Sequence, residues 1–313
     1  MVQYTSLTRH EIETILAKFS INNIYSFKVL SGGSENTNYL INTKNGKYVL
    51  TICELKSEKK VRELAHLLEY LEKHHFETSK IILNTNNELL TLWKGKHVMI
   101  KKFIEGKILK YLPHHLIELL GNELGKLHKI EAPEYLSKQA NYGKEQFINV
   151  KKYAANSLFD IWLKEKLEYV LPHLSSSLPK ALIHGDVFSD NVIISEDEDS
   201  VVIIDFEESV NYYRVFDIGM MIIGICGEGK TVNFEKARYI LKGYRQEIQL
   251  LDIEINALQA FTVYAGAAMT FWRHLYFNFT KPDSELSNHY LGLKALTDYV
   301  EKQPTDCFLK LIR

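Results

Sequence analysis

Three cysteines in 313 residues, Cys53, Cys226 and Cys307, are too few and too scattered for a disulfide framework or a zinc site. They fit a reducing compartment and read as buried thiols. No charge of one sign dominates: 38 basic residues face 39 acidic ones, so no global field points to nucleic acid or to an anionic membrane surface. No apolar run approaches the ~18 residues of a membrane span, and the opening MVQYTSLTRHEIE is too polar for a signal peptide. Repeats and low-complexity tracts are lacking, and the acidic run from Glu196 to Asp199 reads as a solvated turn. The expectation is a cytoplasmic protein without nucleic-acid or membrane partners; composition does not indicate an oligomeric state.

What the chain does have is apolar content, 46% of its residues. That can bury a large core, and a prior of roughly 150 residues per domain suggests two lobes. Thr8 with Glu11 forms a capping box that opens a helix to about Phe19. The β-rich runs YSFKVLSG, NTNYLINT and KYVLTICE follow, the last two separated by KNG, where Asn45-Gly46 signals a tight turn. SEKKVRELAHLLEYLEKHH then has helical spacing, and ELLTLWKGKHVMIKKFIEG returns to strands. The order strand, strand, strand, helix, strand, strand predicts an antiparallel-sheet lobe over residues 1–105. Residues 106–313 read as mostly helical: HHLIELLGNELGKLHKI, FINVKKYAANSLFDIWLKEKLEYV, the stretch after Asn233, and two helices from about Asp252 and Ser284. Only residues 181–205 interrupt them. The fold class is α+β.

Gly224 to Thr231, GICGEGKT, matches the phosphate-loop pattern G-x-x-x-x-G-K-[ST] letter for letter. Its context argues otherwise. The acidic strand that should follow such a loop, VVIID at 201–205, precedes it, and Asn233 with Glu235 behind it starts the next helix after Thr231. The segment reads as a glycine-rich turn between helices.

The chemistry concentrates in ALIHGDVFSDNVIISEDEDSVVIIDFEE. NVIIS and VVIID flank the polar turn EDEDS as a hairpin. With the hairpin symmetric about Glu198, Asn191 lies opposite Asp205, and directly opposed Cβ atoms are about 5 Å apart. An amide oxygen and a carboxylate without thiols suit Mg²⁺, and Asp186 sits in a loop just upstream. One carboxylate for a substrate hydroxyl and two oxygen ligands for metal are the parts that phosphoryl transfer needs. HGDxxxxN followed by an apolar strand ending in DFE matches the kinase catalytic-loop and metal-aspartate pattern. His184 and His128 read as packed, hydrogen-bonded side chains, and Tyr212, Tyr213 and the FWRHLYFNF aromatics as core or pocket walls at helical spacing.

On these residues the chain resembles the protein-kinase-like small-molecule phosphotransferases, which include aminoglycoside phosphotransferases, choline kinases and type II homoserine kinases. It is most similar to the last, through YTSLTRHEIE, SGGSENTNYLINTKNGKYVLTICE, LGNELGKLH, LIHGDVFSDNVII, VVIIDFEE, FDIG and AGAAMTFWRHLYF. The resemblance implies a bilobal kinase-like fold using ATP and Mg²⁺ between its lobes. Asp186 would be the catalytic base or orienting carboxylate, Asn191 and Asp205 the metal ligands, and Asp217 a support for the catalytic loop. SGGSENTN would be the turn over the phosphates, implying Gly32, Gly33, Ser34, Asn36 and Asn38 as nucleotide contacts. Phe103 and Ile104 would lie at the hinge that binds adenine.

Two positions depart from the pattern. Thr51 stands where V-A-I-K kinases carry lysine, as it often does in the homoserine kinase branch; Glu63 on the next helix then lacks the usual partner and is equally a solvated helix charge. Thr270 stands where that branch typically carries arginine, and Arg273, a turn later, either holds a substrate carboxylate or pairs with a neighbouring acid. Glu207 and Glu208 beside the metal aspartate could meet an ammonium group. The expected acceptor is a small polar hydroxyl compound, L-homoserine first, with choline, ethanolamine and aminoglycosides as alternatives. A catalytically inactive nucleotide-binding relative is the alternative of another class, opposed by the intact Asp186, Asn191 and Asp205.

Overall fold

The structure, a computed structural model, describes residues 5–30 and 36–312. Gly32, Gly33 and Ser34 lie outside the described residues. The chain divides into two compact units, Met1–Glu105 and Gly106–Arg313.

In the first unit, helix α1 (Arg9–Ala17) opens on the Thr8 capping box, in which Thr8 accepts from the Glu11 amide and Glu11 accepts from the Thr8 amide. Strands β1 (Ile24–Val29), β2 (Asn36–Thr43) and β3 (Gly46–Cys53) lead into helix α2 (Glu58–Lys73), followed by β4 (Ile81–Ile82), β5 (Thr91–Trp93) and β6 (Lys96–Lys102). The sheet is antiparallel, ordered β1-β2-β3-β6-β4, with β5 also on β6. Two-residue side-chain alternation divides its faces. Leu50, Ile52, Val98 and Ile100 point to one side, over Ile12, Ile15 and Leu16 of α1. Cys53 and Met99 point to the other, over Val61 and Ala65 of α2. The short strand β4 is an addition to the expected order; two residues are too few to carry a period.

The second unit begins with α3 (His114–Lys129). The single helix expected over 147–170 is broken. A 3₁₀ turn (Lys144–Val150) and α4 (Lys151–Ala154) end at Asn156, which takes a positive φ of 58°, and Ser157 caps a new helix, α5 (Leu158–Val170), by accepting from the Asp160 amide at 3.1 Å. Strand β7 (Lys180–Ile183) and the hairpin of β8 (Val192–Ile194) and β9 (Val201–Ile203) follow. A strand the sequence reading missed, β10 (Val210–Tyr213), then pairs antiparallel with β7, so Tyr212 and Tyr213 sit on a strand and not at helical spacing.

Helix α6 (Arg214–Cys226) runs into a miniature hairpin of β11 (Gly227–Glu228) and β12 (Thr231–Val232), then α7 (Phe234–Tyr244). The apolar run before the glycines of GICGEGKT is therefore helix, no strand delivers them, and Asn233 caps α7 by accepting from the Lys236 amide at 3.2 Å. Gly224 serves packing: a Cβ there would lie 2.4 Å from the Val187 carbonyl oxygen and 3.0 Å from the Phe188 ring. Helix α8 (Asp252–Leu275) passes into a π-helical turn, Tyr276–Thr280, before α9 (Tyr290–Glu301) and α10 (Thr305–Leu309). The helix expected from Ser284 starts six residues later because Asp283 accepts from the amides of Glu285 and Leu286, closing a turn. Among the described residues no helix is long and apolar enough to cross a membrane.

Candidate active site

The site is built on a buried carboxylate. Asp217, in the first turn of α6, accepts from the backbone amides of His184 (2.7 Å) and Gly185 (2.9 Å) and faces His128 Nε2 at 3.2 Å. Burial alone would raise its pKa, but the His128 hydrogen bond and the Gly185 amide hold it below the usual carboxylate range. Asp217 thus pins the turn that leaves β7, where Gly185 takes φ +85° and backs onto the Glu208 carbonyl, 2.8 Å from where a Cβ would stand. His184 is fully buried, and desolvation depresses its pKa. As a neutral ring it donates from Nε2 to the Ile204 carbonyl (2.9 Å) and accepts the Asp186 amide at Nδ1 (3.2 Å). Both histidines are packed and hydrogen-bonded, as expected.

Asp186 is the next residue. Asn191 donates its amide to the Asp186 carbonyl (2.8 Å) and carboxylate (3.1 Å). The hairpin register differs by one from the expected pairing: Val192 faces Ile203, and Asn191 accepts the Ile204 amide through its carbonyl at 3.0 Å. The turn is the cause. Ser195 and Ser200 bond across it, Ser195 Oγ accepts from the amides of Asp199 and Ser200, and Glu198 takes φ 58°, so the loop has an even number of residues and its centre is not on Glu198. Asp205 therefore falls beyond the ladder, in the left-handed conformation with φ 69° and ψ 65°. An aspartate tolerates this better than most residues, and strain of order 1 kcal/mol is commonly held at functional sites.

Asp186, Asn191 and Asp205 still converge. Burial, then the charges of Asp205, Glu208 and Asp190, push the Asp186 pKa up to about 8, against the Asn191 hydrogen bond. Such a group of acids repels itself and is relieved by a cation. Among the described residues no three His, Cys, Asp or Glu side chains converge as a ligand set. One carboxylate with one amide oxygen nevertheless fits Mg²⁺, which keeps several waters and takes further oxygens from phosphates.

Of the two neighbouring glutamates in the 3₁₀ turn Phe206–Glu208, it is Glu208 whose charge acts on Asp186, and it accepts from Asn141 Nδ2 (2.7 Å) and Tyr142 Oη (3.3 Å). Nothing in the spacing of Asn141 and Tyr142 marked them beforehand. Arg273, from α8, lines a cavity of about 640 Å³ with Phe188 and Ser189 of the loop after Asp186 and with Glu228 and Lys236. Its guanidinium carbon lies 5.9 Å from the Phe188 ring centre, and it forms no ion pair among the described residues. Desolvation lowers its pKa against the charges of Asp186 and Asp190. Thr270 is fully buried and donates to the Gly266 carbonyl of its own helix (2.6 Å).

In the first unit, Thr51 is buried and donates to Asn38 Oδ1 at 2.7 Å, across the β2–β3 pair. The position at which a kinase lysine was expected thus holds a neutral hydroxyl–amide pair. Glu63 lies near Lys59 and Lys60 of its own helix, at 3.8 and 3.5 Å. Asn36 is buried at the start of β2. Phe103 donates its amide to the Lys47 carbonyl (3.1 Å), which ties it to β3, and Ile104 beside it is half-buried.

A buried carboxylate beside an amide side chain and an aspartate just past a strand, with a second buried aspartate behind the turn, is the arrangement expected of a kinase-like phosphotransferase. The chain belongs to the phosphotransferase enzyme family, whose model matches residues 26–249. A homoserine kinase of Paramagnetospirillum magneticum is 28% identical, over 87% of this chain and 86% of that protein. A microcompartment-associated aminopropanol kinase superposes with a TM-score of 0.74 at 14% identity, over 96% of this chain and 98% of the other. A spectinomycin phosphotransferase in complex with ADP and spectinomycin does so with a TM-score of 0.65 at 14% identity, over 98% of each chain. The fold is protein-kinase-like, and the protein is a small-molecule kinase.

Proposed function

We propose that this enzyme transfers the γ-phosphoryl group of ATP to the hydroxyl of L-homoserine in the cytoplasm. The observation that carries the choice of acceptor is Arg273, a partly desolvated guanidinium beside the catalytic loop with no ion pair among the described residues. A planar cation of that kind suits a carboxylate, which homoserine has and ethanolamine and choline lack. Glu208, or Glu207 next to it, would meet the ammonium group. Similarity to a homoserine kinase along most of the chain supports the same acceptor.

In this reading Asp186 orients the acceptor hydroxyl and takes its proton as the oxygen attacks the γ-phosphorus. The bond to the bridging oxygen of ADP breaks, and ADP leaves with the electron pair. Asn191 and Asp205 would hold Mg²⁺, which when bound offsets charge on the phosphates. Gly32, Gly33, Ser34, Asn36 and Asn38 would contact the phosphates, and the backbone of Phe103 and Ile104 the adenine. ADP release from MgATP, measured with L-homoserine, choline, ethanolamine and an aminoglycoside panel beside Asp186→Asn, tests this. Turnover on homoserine that falls by roughly 10²-fold or more in the variant is the expected result. Turnover on another acceptor alone would overturn the choice of homoserine, and nucleotide binding without any turnover would favour an inactive relative.

A further inference from the structure

Arginine has five N–H donors and no acceptor, so any group that shares a hydrogen bond with it must accept. Arg273 Nη1 lies 3.4 Å from His289 Nε2, a long hydrogen bond in which the histidine accepts and carries its own proton on Nδ1. The ring is consequently neutral. Partial loss of water and the Arg273 charge also hold the His289 pKa below the ordinary histidine value.

His289 is itself held in place. Its ring packs edge-on to Phe277, with centroids 6.0 Å apart. Phe277 belongs to the π-helical turn Tyr276–Thr280 at the end of α8, and the Asn278 amide of that turn donates to the carbonyls of His274 (3.1 Å) and Ser287 (2.9 Å). A π turn is rare, and where it occurs it frequently adjusts a functional residue. Here it ties the end of the arginine's own helix to the segment that bears His289. The Phe188 ring lies beneath the guanidinium, so one N–H and one face of the group are engaged, and the remaining donors stay available to the cavity.

We propose that His289 is a positioning residue for acceptor recognition, holding the Arg273 guanidinium in the orientation in which it takes the acceptor's carboxylate. The inference rests on the reading of Arg273 given above. A long side chain left to rotate would lose rotamer freedom whenever acceptor bound, and anchoring it in advance removes that loss.

The test compares wild type, His289→Ala and His289→Gln, assayed with MgATP on L-homoserine and on 3-amino-1-propanol, which keeps the amine and hydroxyl but has no carboxylate. The expected result is that wild type prefers homoserine, and that His289→Ala raises KM for homoserine roughly five- to tenfold, the scale of one ordinary hydrogen bond. kcat, KM for ATP and the weak reaction with aminopropanol stay within about twofold. His289→Gln, whose amide oxygen can accept, recovers most of the affinity. If wild type prefers homoserine and His289→Ala does too with unchanged KM, the role of His289 is wrong and the reading of Arg273 survives. If wild type uses both acceptors equally well, or neither, the carboxylate reading fails and takes this proposal with it. A rise in KM for ATP equal to that for homoserine would mark general damage and also overturn it.

Discussion

Asp186 is ionised in an unfolded chain above about pH 4, but in the folded protein burial and three neighbouring acids push its pKa up to about 8. A raised folded-state pKa contributes stability that is fully present below the unfolded value and is lost as pH rises through the folded one. In metal-free protein this carboxylate should therefore cost stability progressively between pH 4 and 8. Asp186→Asn keeps an oxygen to accept the Asn191 amide and removes the charge. We expect it to be more stable than wild type at pH 8 by about 1–2 kcal/mol, a figure discounted for solvent access, and by much less at pH 4.5. Urea unfolding of both proteins at the two pH values checks this; equal gains at both would mean that the acids around Asp186 do not repel it. The same residue scale separates the two nucleotide motifs of the sequence. Lys230 of GICGEGKT is exposed, so Lys230→Ala should leave KM for ATP within about twofold of wild type. Asp205→Ala should lower kcat/KM by roughly 10²-fold or more, because it removes a proposed metal ligand. Steady-state kinetics on the two variants would sink this assignment if their effects were reversed.

At the scale of elements, close helix contacts rest on glycine. A Cβ on Gly243 of α7 would stand 1.8 Å from the Glu118 carbonyl oxygen of α3, and one on Gly121 of α3 would stand 2.2 Å from the Ile240 carbonyl oxygen of α7. Neither backbone can yield cheaply. Gly243→Ala should destabilise the protein by about 3 kcal/mol, at the upper end for overpacking, and lower Tm by several degrees, read by calorimetry; a change under 1 °C would contradict the contact. Helices and sheet were legible in the sequence where periodicity ran long, as in α2 and α3, or where a cap stood at the boundary, as at Thr8 and Asn233. What escaped was shorter or depended on partners. β4 and β10 have two and four residues, and β10 is a strand because β7 lies beside it. The break before α5 depends on Asn156 adopting a positive φ, to which its helical neighbours gave no clue. The hairpin register slipped by one because hydrogen bonds within the turn, and not the symmetry of EDEDS, set its centre. Despite that slip Asp205 stays near enough for its charge to act on Asp186.

For the whole molecule, the residues around Asp186 were legible in advance because their chemistry requires fixed spacing along one short stretch of chain. The surroundings of Arg273 were not, because His289 and Phe188 come from segments far from it in sequence and meet it only in the fold. The same asymmetry governs what a ligand does to stability. Anything that binds only the folded state stabilises it by RT ln(1 + [L]/Kd), about 2.7 kcal/mol at a hundredfold excess over Kd. For a chain of this size that is a rise of roughly 5 °C in Tm. We expect such a rise with ATP and Mg²⁺ together. ATP with a chelator should give a clearly smaller one, because Asp186, Asp190, Asp205 and Glu208 would then face the phosphates without an intervening cation. In Asp205→Ala the increment due to Mg²⁺ should largely disappear while that due to ATP alone remains or grows, one repelling charge having been removed. Thermal unfolding of the two proteins with and without each component measures all of these increments. A Mg²⁺ increment that persists in Asp205→Ala would mean that the metal is held elsewhere, and the acidic group around Asp186 would then need another cation to offset it.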